Sequence, residues 1–151
     1  MQKITPFLWF DGQVEEAMNF YTSVFKDSKI VQVVNGPDGK VMTATFIIEG
    51  QEFMALNAGP QFKFNEAVSF FVKCKDQAEV DYYWDKLTAN GGQESMCGWL
   101  KDKFGLSWQI IPDALGQLLF DKDPQKSQKV MQAMMKMNKI IVADLEAAYN
   151  G

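Results

Sequence analysis

The sequence predicts an α+β protein made of two βαβββ units, each curling into part of an open, cup-shaped mixed sheet, followed by a C-terminal helix. Three observations carry this. The order strand, helix, strand, strand, strand can be read twice along the chain. Local motifs repeat with it: Gly12-Gln13-Val14-Glu15-Glu16 resembles Asp76-Gln77-Ala78-Glu79-Val80, and Gly50-Gln51-Glu52-Phe53-Met54-Ala55-Leu56 resembles Gly105-Leu106-Ser107-Trp108-Gln109-Ile110-Ile111. A helical stripe then runs on beyond both copies. An internal duplication is the economical source of such a pattern. Unit one is expected over about 3–58, unit two over about 66–112 and a helical extension over about 113–149, all within one domain.

Ile4-Thr5-Pro6-Phe7-Leu8-Trp9-Phe10 is short, bulky and aromatic, a good strand. Pro6 has no N–H to donate, which suits an edge. Asp11-Gly12 breaks this strand, and Asp11 reads as a helix cap. Val14, Ala17, Met18, Tyr21, Val24 and Phe25 then form the stripe of a helix facing a core. Glu15 and Glu16 sit in its first turn, where the helix dipole favours negative charge. Lys29-Ile30-Val31-Gln32-Val33-Val34 is β-branched and strand-like. Gly36-Pro37-Asp38-Gly39 makes a turn, because Pro presets φ and the glycines accept positive φ. Residues 41–49 and 52–57 form two further strands around the Gly50-Gln51 turn.

Residues 58–65 link the halves. The segment carries Phe62 and Phe64, so it is expected to pack rather than to act as a flexible tether. In the second copy, residues 67–74 form a strand. Asp76 is an N-cap with Glu79 in the capping-box position. Val80, Tyr83, Trp84 and Leu87 mark the helix, which Asn90-Gly91-Gly92 stops. A short strand at 93–96 and strands at 99–103 and 107–112 complete the unit. The tail over 124–149 reads as one long helix with Pro124 in its first turn and a stripe of Val130, Met134, Met137, Ile141, Leu145 and Ala148. That helix either packs on its own domain or meets a second subunit, since thioethers adapt to irregular partners. Its place outside both repeats favours a homodimer.

Composition removes several functions. With 151 residues the chain can bury a core without disulfides or metal. A net charge of -4 gives no footprint for nucleic acid or anionic membrane. No run nears the ~20 apolar residues of a membrane span, and the N-terminus lacks a signal-peptide h-region. Cys74 and Cys97 make no disulfide framework and read as buried free thiols in a reducing cytoplasm.

The duplicated βαβββ pattern resembles the vicinal-oxygen-chelate superfamily of glyoxalase I, bleomycin-resistance proteins and extradiol dioxygenases. Several motifs resemble its PhnB-like, demethylubiquinone methyltransferase-like branch. They are Ile4-Thr5-Pro6-Phe7-Leu8-Trp9-Phe10-Asp11-Gly12-Gln13, Phe20-Tyr21, Phe53-Met54-Ala55-Leu56-Asn57-Ala58-Gly59-Pro60, Cys97-Gly98-Trp99-Leu100, residues 104–112 and residues 130–134. The resemblance implies that each unit curls into half of a cup enclosing a concave site. Metal-dependent members place His and Glu ligands on the first and last strands of each unit. The matching positions here are Thr5, Met54 or Ala55, Ser69 and Gln109.

None of these is a good divalent-metal ligand, and the chain contains no histidine. The commonest metal ligand and the default general base are therefore both missing. The methyltransferase name meets a similar obstacle: there is no G-x-G and no alternating β/α series. No cofactor is expected. What remains is a cup lined by aromatic and neutral hydrogen-bonding residues, expected to include Thr5, Phe7, Trp9, Asn57, Ser69, Phe71, Trp99 and Gln109. Such a lining suits a small, largely apolar ligand. The four tryptophans are each also ordinary core residues, Trp84 above all, and Asn57 also reads as a strand end. The alternatives are an enzyme using Glu52, Glu66 or Glu94, or the methyl transfer that the family name implies. Cys97 lacks a histidine to activate it. No catalytic constellation is visible.

Overall fold

The aromatic run at the start becomes β1 (Phe7–Phe10), followed by α1 (Val14–Val24), β2 (Ser28–Asn35), β3 (Val41–Ile48) and β4 (Gln51–Asn57). In this computed structural model, which describes residues 2–151, these elements belong to the first of two compact units, Met1–Phe64 and Asn65–Gly151. The first unit's sheet has the order β1-β4-β3-β2, with β1 parallel to β4 and the other neighbours antiparallel. Strand alternation sorts the side chains cleanly. Leu8, Phe10, Ala44, Phe46, Ile48, Phe53 and Ala55 are buried, as is the predicted helical stripe Val14, Ala17, Met18, Tyr21, Val24 and Phe25. Tyr21 stacks on Phe46, centroids 6.1 Å apart, and Phe46 on Phe53 at 5.6 Å. Each such buried ring contributes about 1.5–3 kcal/mol by leaving water.

β2 is different. It is exposed along most of its length and its pairing with β3 shifts register at two points, between Ile30 and Gln32 and between Val34 and Asn35. Register breaks of this kind bend an edge strand away from further pairing. The linker behaves as expected of an aromatic segment. Phe62 meets Trp9 edge-on at 4.9 Å, and Phe64 meets Phe10 at 5.3 Å.

The Asp11 cap is not formed. The N-cap position of α1 is Gln13, without a side-chain cap bond, and Asp11 is exposed. Asn57 at the end of β4 serves instead: its Oδ1 accepts from the Val14 N–H at 3.1 Å, while its Nδ2 donates to the Val41 carbonyl at 2.9 Å. A residue 43 positions downstream satisfies an orphan helix donor, which local sequence reading cannot detect.

The second unit repeats the plan. It holds β5 (Ser69–Cys74), α2 (Gln77–Thr88), β6 (Gln93–Glu94), β7 (Trp99–Lys101) and β8 (Ser107–Pro112), in the order β5-β8-β7-β6, with β5 parallel to β8. The turns before the last strands correspond too, with Gly50 at φ 78° and Gly105 at φ 89°. Asp76 Oδ1 accepts from the Glu79 N–H at 3.0 Å, and Glu79 Oε1 reaches back to the Lys75 N–H at 3.0 Å. The predicted stripe Val80, Tyr83, Trp84 and Leu87 is buried.

The tail is helical but is not one long helix. It forms α3 (Asp113–Leu119), α4 (Pro124–Met134) and α5 (Val142–Asn150). Tertiary partners take the backbone groups that a continuous helix would have used. The Cys97 N–H donates to the Met137 carbonyl and the Gly98 N–H to the Asn138 carbonyl, both at 2.8 Å. Gln77 engages the Ile140 carbonyl and the Val142 N–H. Gly98, at φ 84°, allows the approach, since a Cβ there would lie 2.7 Å from Ile111 Cδ1 and 3.1 Å from Ile140 Cγ1. Ile140, rather than Ile141, is therefore the buried residue, in a cluster with Ile111, Leu115, Val130 and Leu145.

Candidate functional site

The first sheet has one face turned away from its unit's buried residues. In the second sheet the face of Phe71, Gln109 and Trp99 is partly exposed, although Ser107 and Ile111 beside Gln109 on β8 are buried. The predicted site residues fall mainly on these faces. In the first unit, alternation places Phe7 and Trp9 of β1 with Glu52, Met54 and Leu56 of β4 and Thr43, Thr45 and Ile47 of β3. Thr5, just before β1, joins them: its hydroxyl donates to Glu52 Oε2 at 3.2 Å. Trp9 Nε1 donates to the Gly59 carbonyl at 2.9 Å, which fixes the indole. The ambiguous position is resolved as well. Met54 pairs with Phe7 and shares its face, whereas Ala55 is buried on the opposite side.

In the second unit the register builds two rows across the sheet. Phe71, Gln109 and Trp99 are direct neighbours on β5, β8 and β7. One step away lie Ser69, Ser107 and Lys101. Gln109 Nε2 donates to Ser69 Oγ at 3.0 Å. Ser107 is buried and its Oγ has no hydrogen-bond partner. Lys101 forms an ion pair with Glu66, and this ammonium holds the Glu66 carboxyl below the usual carboxylate range.

Asn57 does not belong with this group. It has the parity of Phe53 and Ala55 in β4, and both ends of its amide are spent on Val14 and Val41. It lines a separate open hollow of about 980 Å³ between the start of α1 and the β2–β3 hairpin, with Glu15, Met18, Asp38, Lys40 and Met42 among its walls. Sequence reading gave no sign of this hollow, because it arises where the hairpin and helix meet.

The tryptophans divide evenly. Trp84 and Trp108 are core residues whose indoles donate to Glu94 Oε1 at 2.6 Å and Asp102 Oδ2 at 2.9 Å, while Trp9 and Trp99 are partly exposed on open faces. Glu94 and Glu66 are thus committed to Trp84 and Lys101, and Glu52 is bonded by Thr5. Cys74 is buried, and burial pushes its thiol up to about 12. Cys97 is only partly buried, contrary to the expectation of two buried thiols, because the Cys97-Gly98 backbone rather than the side chain is drawn inward to the 137–138 segment.

The positions that the resemblance marks for metal ligands offer poor donors in each unit taken by itself. In the first unit Thr5 and Met54 supply a hydroxyl and a thioether, and in the second Ser69 and Gln109 supply a hydroxyl and an amide that are already mutually bonded. Hard cations take carboxylate oxygens and zinc takes thiolate or imidazole. Among the described residues no three His, Cys, Asp or Glu side chains are grouped to hold a metal, and no helix is long and apolar enough to cross a membrane.

Comparison with known proteins gives a consistent answer. Residues 2–111 match the family model described as 3-demethylubiquinone-9 3-methyltransferase. A Bacillus cereus PhnB protein, assigned by name to the same methyltransferases, is 40% identical and superposes with a TM-score of 0.69, over 74% of this chain and 99% of that one. Protein PA1353 from Pseudomonas aeruginosa shares the fold at 20% identity and TM-score 0.62, covering 74% and 98% of the two chains. A variant of the fosfomycin resistance protein FosX from Listeria monocytogenes, complexed with Mn(II) and dihydroxypropylphosphonic acid, shares it at 14% identity and TM-score 0.52, over 72% and 90%. No curated protein sequence matches the chain.

Proposed function

We propose a function from one premise: the chain belongs to the 3-demethylubiquinone-9 3-methyltransferase family, the PhnB-like branch of the vicinal-oxygen-chelate superfamily. On that premise it binds a small, largely apolar molecule on the open faces of its sheets and does so without a divalent metal. The observation that carries this reading is the Gln109–Ser69 hydrogen bond at 3.0 Å. It joins two of the superfamily's ligand positions to each other through neutral groups, flanked by Phe71 and Trp99. Aromatic walls with a few fixed polar atoms favour flat apolar ligands. The protein works as a homodimer in the cytoplasm; the exposed Met131 of α4 and Met135, the C-cap residue that follows it, support a subunit contact.

The test is elemental analysis of purified protein combined with thermal unfolding in Mn²⁺, Zn²⁺ and a panel of aromatic compounds. We expect no stoichiometric metal, no rise in Tm with either ion, and a concentration-dependent rise with an aromatic compound. A stoichiometric bound metal rules out the metal-free reading. Light scattering on the same sample reports the dimer.

Methyl transfer is the second reading, favoured by the family description itself. Against it, the two mixed sheets lack the parallel Rossmann arrangement and glycine-rich loop that commonly hold S-adenosylmethionine. Calorimetry with S-adenosylmethionine decides: saturable heat establishes a cofactor site, and its absence at millimolar cofactor ends this reading.

A further inference from the structure

We infer that the hollow between the start of α1 and the β2–β3 hairpin binds a small organic ammonium cation with an apolar body. This is a second site, and it does not depend on the ligand proposed for the sheet faces. Every wall of the hollow belongs to the first unit, and its volume of about 980 Å³ is ample for such a molecule.

The walls divide by chemistry. Met18, Val33, Val41 and Met42 supply the apolar part. Val33 and Met42 are exposed, so a hydrocarbon body laid on them removes apolar surface from water. Two of the four are thioethers, which adapt to bodies of different outline.

Neutral polar groups give little basis for selection. The hairpin closes on itself: the Gly36 N–H donates to the Lys40 carbonyl at 2.8 Å, the Gly39 N–H to the Gly36 carbonyl at 3.0 Å, and the Lys40 N–H to Asp38 Oδ1 at 3.0 Å. Asn57 has given both ends of its amide to Val14 and Val41. The exposed Asn35 amide carries donor and acceptor alike and does not choose between charges.

Selection therefore falls to Glu15, Asp38 and Lys40, all three exposed at the hollow. None of them makes an ion pair among the described residues. Two carboxylates stand against one ammonium, so whichever of them Lys40 approaches, the other keeps its charge. The first turn of α1 brings the positive end of the helix dipole, but Glu15 and Glu16 already answer it. Charge thus favours a cation. The methionine and valine walls favour an organic one, since a hydrated inorganic ion gains nothing from them. Among the described residues no three His, Cys, Asp or Glu side chains are grouped to hold a metal instead.

The experiment uses the full chain with ¹³C-labelled methionine methyl groups and three aliphatic probes of one shape: hexylammonium, hexanol and hexanoate, at neutral pH and low salt. We expect hexylammonium to shift the Met18 and Met42 signals, to leave Met54 on the first sheet's open face unmoved, and to bind about fivefold tighter than hexanol or hexanoate. Glu15→Gln weakens hexylammonium about threefold, and Lys40→Gln tightens it by about the same factor. Asp38→Asn, which keeps the acceptor for the Lys40 N–H, serves if Glu15→Gln does not fold. Hexanoate binding as tight as hexylammonium, hexylammonium bound without moving Met18 and Met42, or a loss of affinity in Lys40→Gln overturns the inference. Equal binding of all three probes, or none, overturns it too. None of these outcomes bears on the ligand of the sheet faces, which the aromatic panel tests by itself.

Discussion

Gln77, the first residue of α2, clasps the extended segment between α4 and α5 through both ends of its amide. Its Nε2 donates to the Ile140 carbonyl at 3.0 Å, and its Oε1 accepts from the Val142 N–H at 2.7 Å. The same Nε2 also donates to Asp81, which pairs with Lys139 at 3.0 Å. One side chain thereby supplies a strand-like partner to a segment that would otherwise have continued as helix. Gln77→Ala is expected to cost about 2 kcal/mol, because partly buried backbone groups lose their partners. Hydrogen exchange should show the Val142 amide losing protection before the β8 amides do. Unchanged protection at Val142 would remove Gln77 from this role.

Asn57 gives a second prediction. Asn57→Ala removes the acceptor for Val14 and the donor to Val41, and should lower unfolding free energy by about 2 kcal/mol in urea titrations. Asn57→Asp keeps the acceptor at the helix start and loses the donor, so it should fall between wild type and Asn57→Ala. If Asp and Ala behave alike, the cap is not what stabilises α1.

Asp102 anchors the turn between β7 and β8. Its carboxylate is buried and accepts from the Phe104 and Leu106 N–H groups and from Trp108 Nε1, at 2.9, 3.0 and 2.9 Å. Asp102→Ala should cost about 3 kcal/mol or more, since three donors lose a charged acceptor. Asp102→Asn should be milder, retaining the backbone bonds while setting an NH₂ group against the Trp108 indole. Urea unfolding monitored by tryptophan emission checks both variants.

The cysteines should separate by reactivity and by pH. Burial, then the carboxylates of Glu79, Asp113 and Asp76, push the Cys74 thiol from 9.0 up to about 12. A raised folded-state value means that the native state holds its proton longer than the unfolded chain. The associated stability is complete below about pH 9 and is lost as pH rises toward 12. Cys74→Ala should therefore show a shallower alkaline fall in stability, whatever its cost at pH 7. In native protein a thiol reagent should titrate Cys97 first and reach Cys74 only on unfolding.

The duplication was legible because each level of the sequence agreed with the others. Period-two alternation in the strands, the stripes from Val14 and from Val80, and the paired glycines Gly50 and Gly105 all specify local conformation, and local conformation is written in neighbouring residues. The capping role of Asp76 was legible for the same reason, since donor and acceptor lie three residues apart. The face shared by Thr5, Phe7 and Trp9 also followed from alternation alone.

Three features required the folded chain. The cap of α1 comes from Asn57 rather than Asp11, because a distant strand end lies closer to the orphan N–H in space than the adjacent side chain does. The methionine stripe over 124–149 has helical spacing throughout, yet the helix breaks where Cys97, Gly98 and Gln77 offer its backbone other partners. The row Phe71–Gln109–Trp99 draws on three strands, and only their register makes neighbours of residues 38 and 10 positions apart. By itself the sequence determined the strands and helices of the two repeats and which faces they bury, since propensity and periodicity act over a few residues. Tertiary structure decided which distant groups share a hydrogen bond, since that depends on strand register and docking.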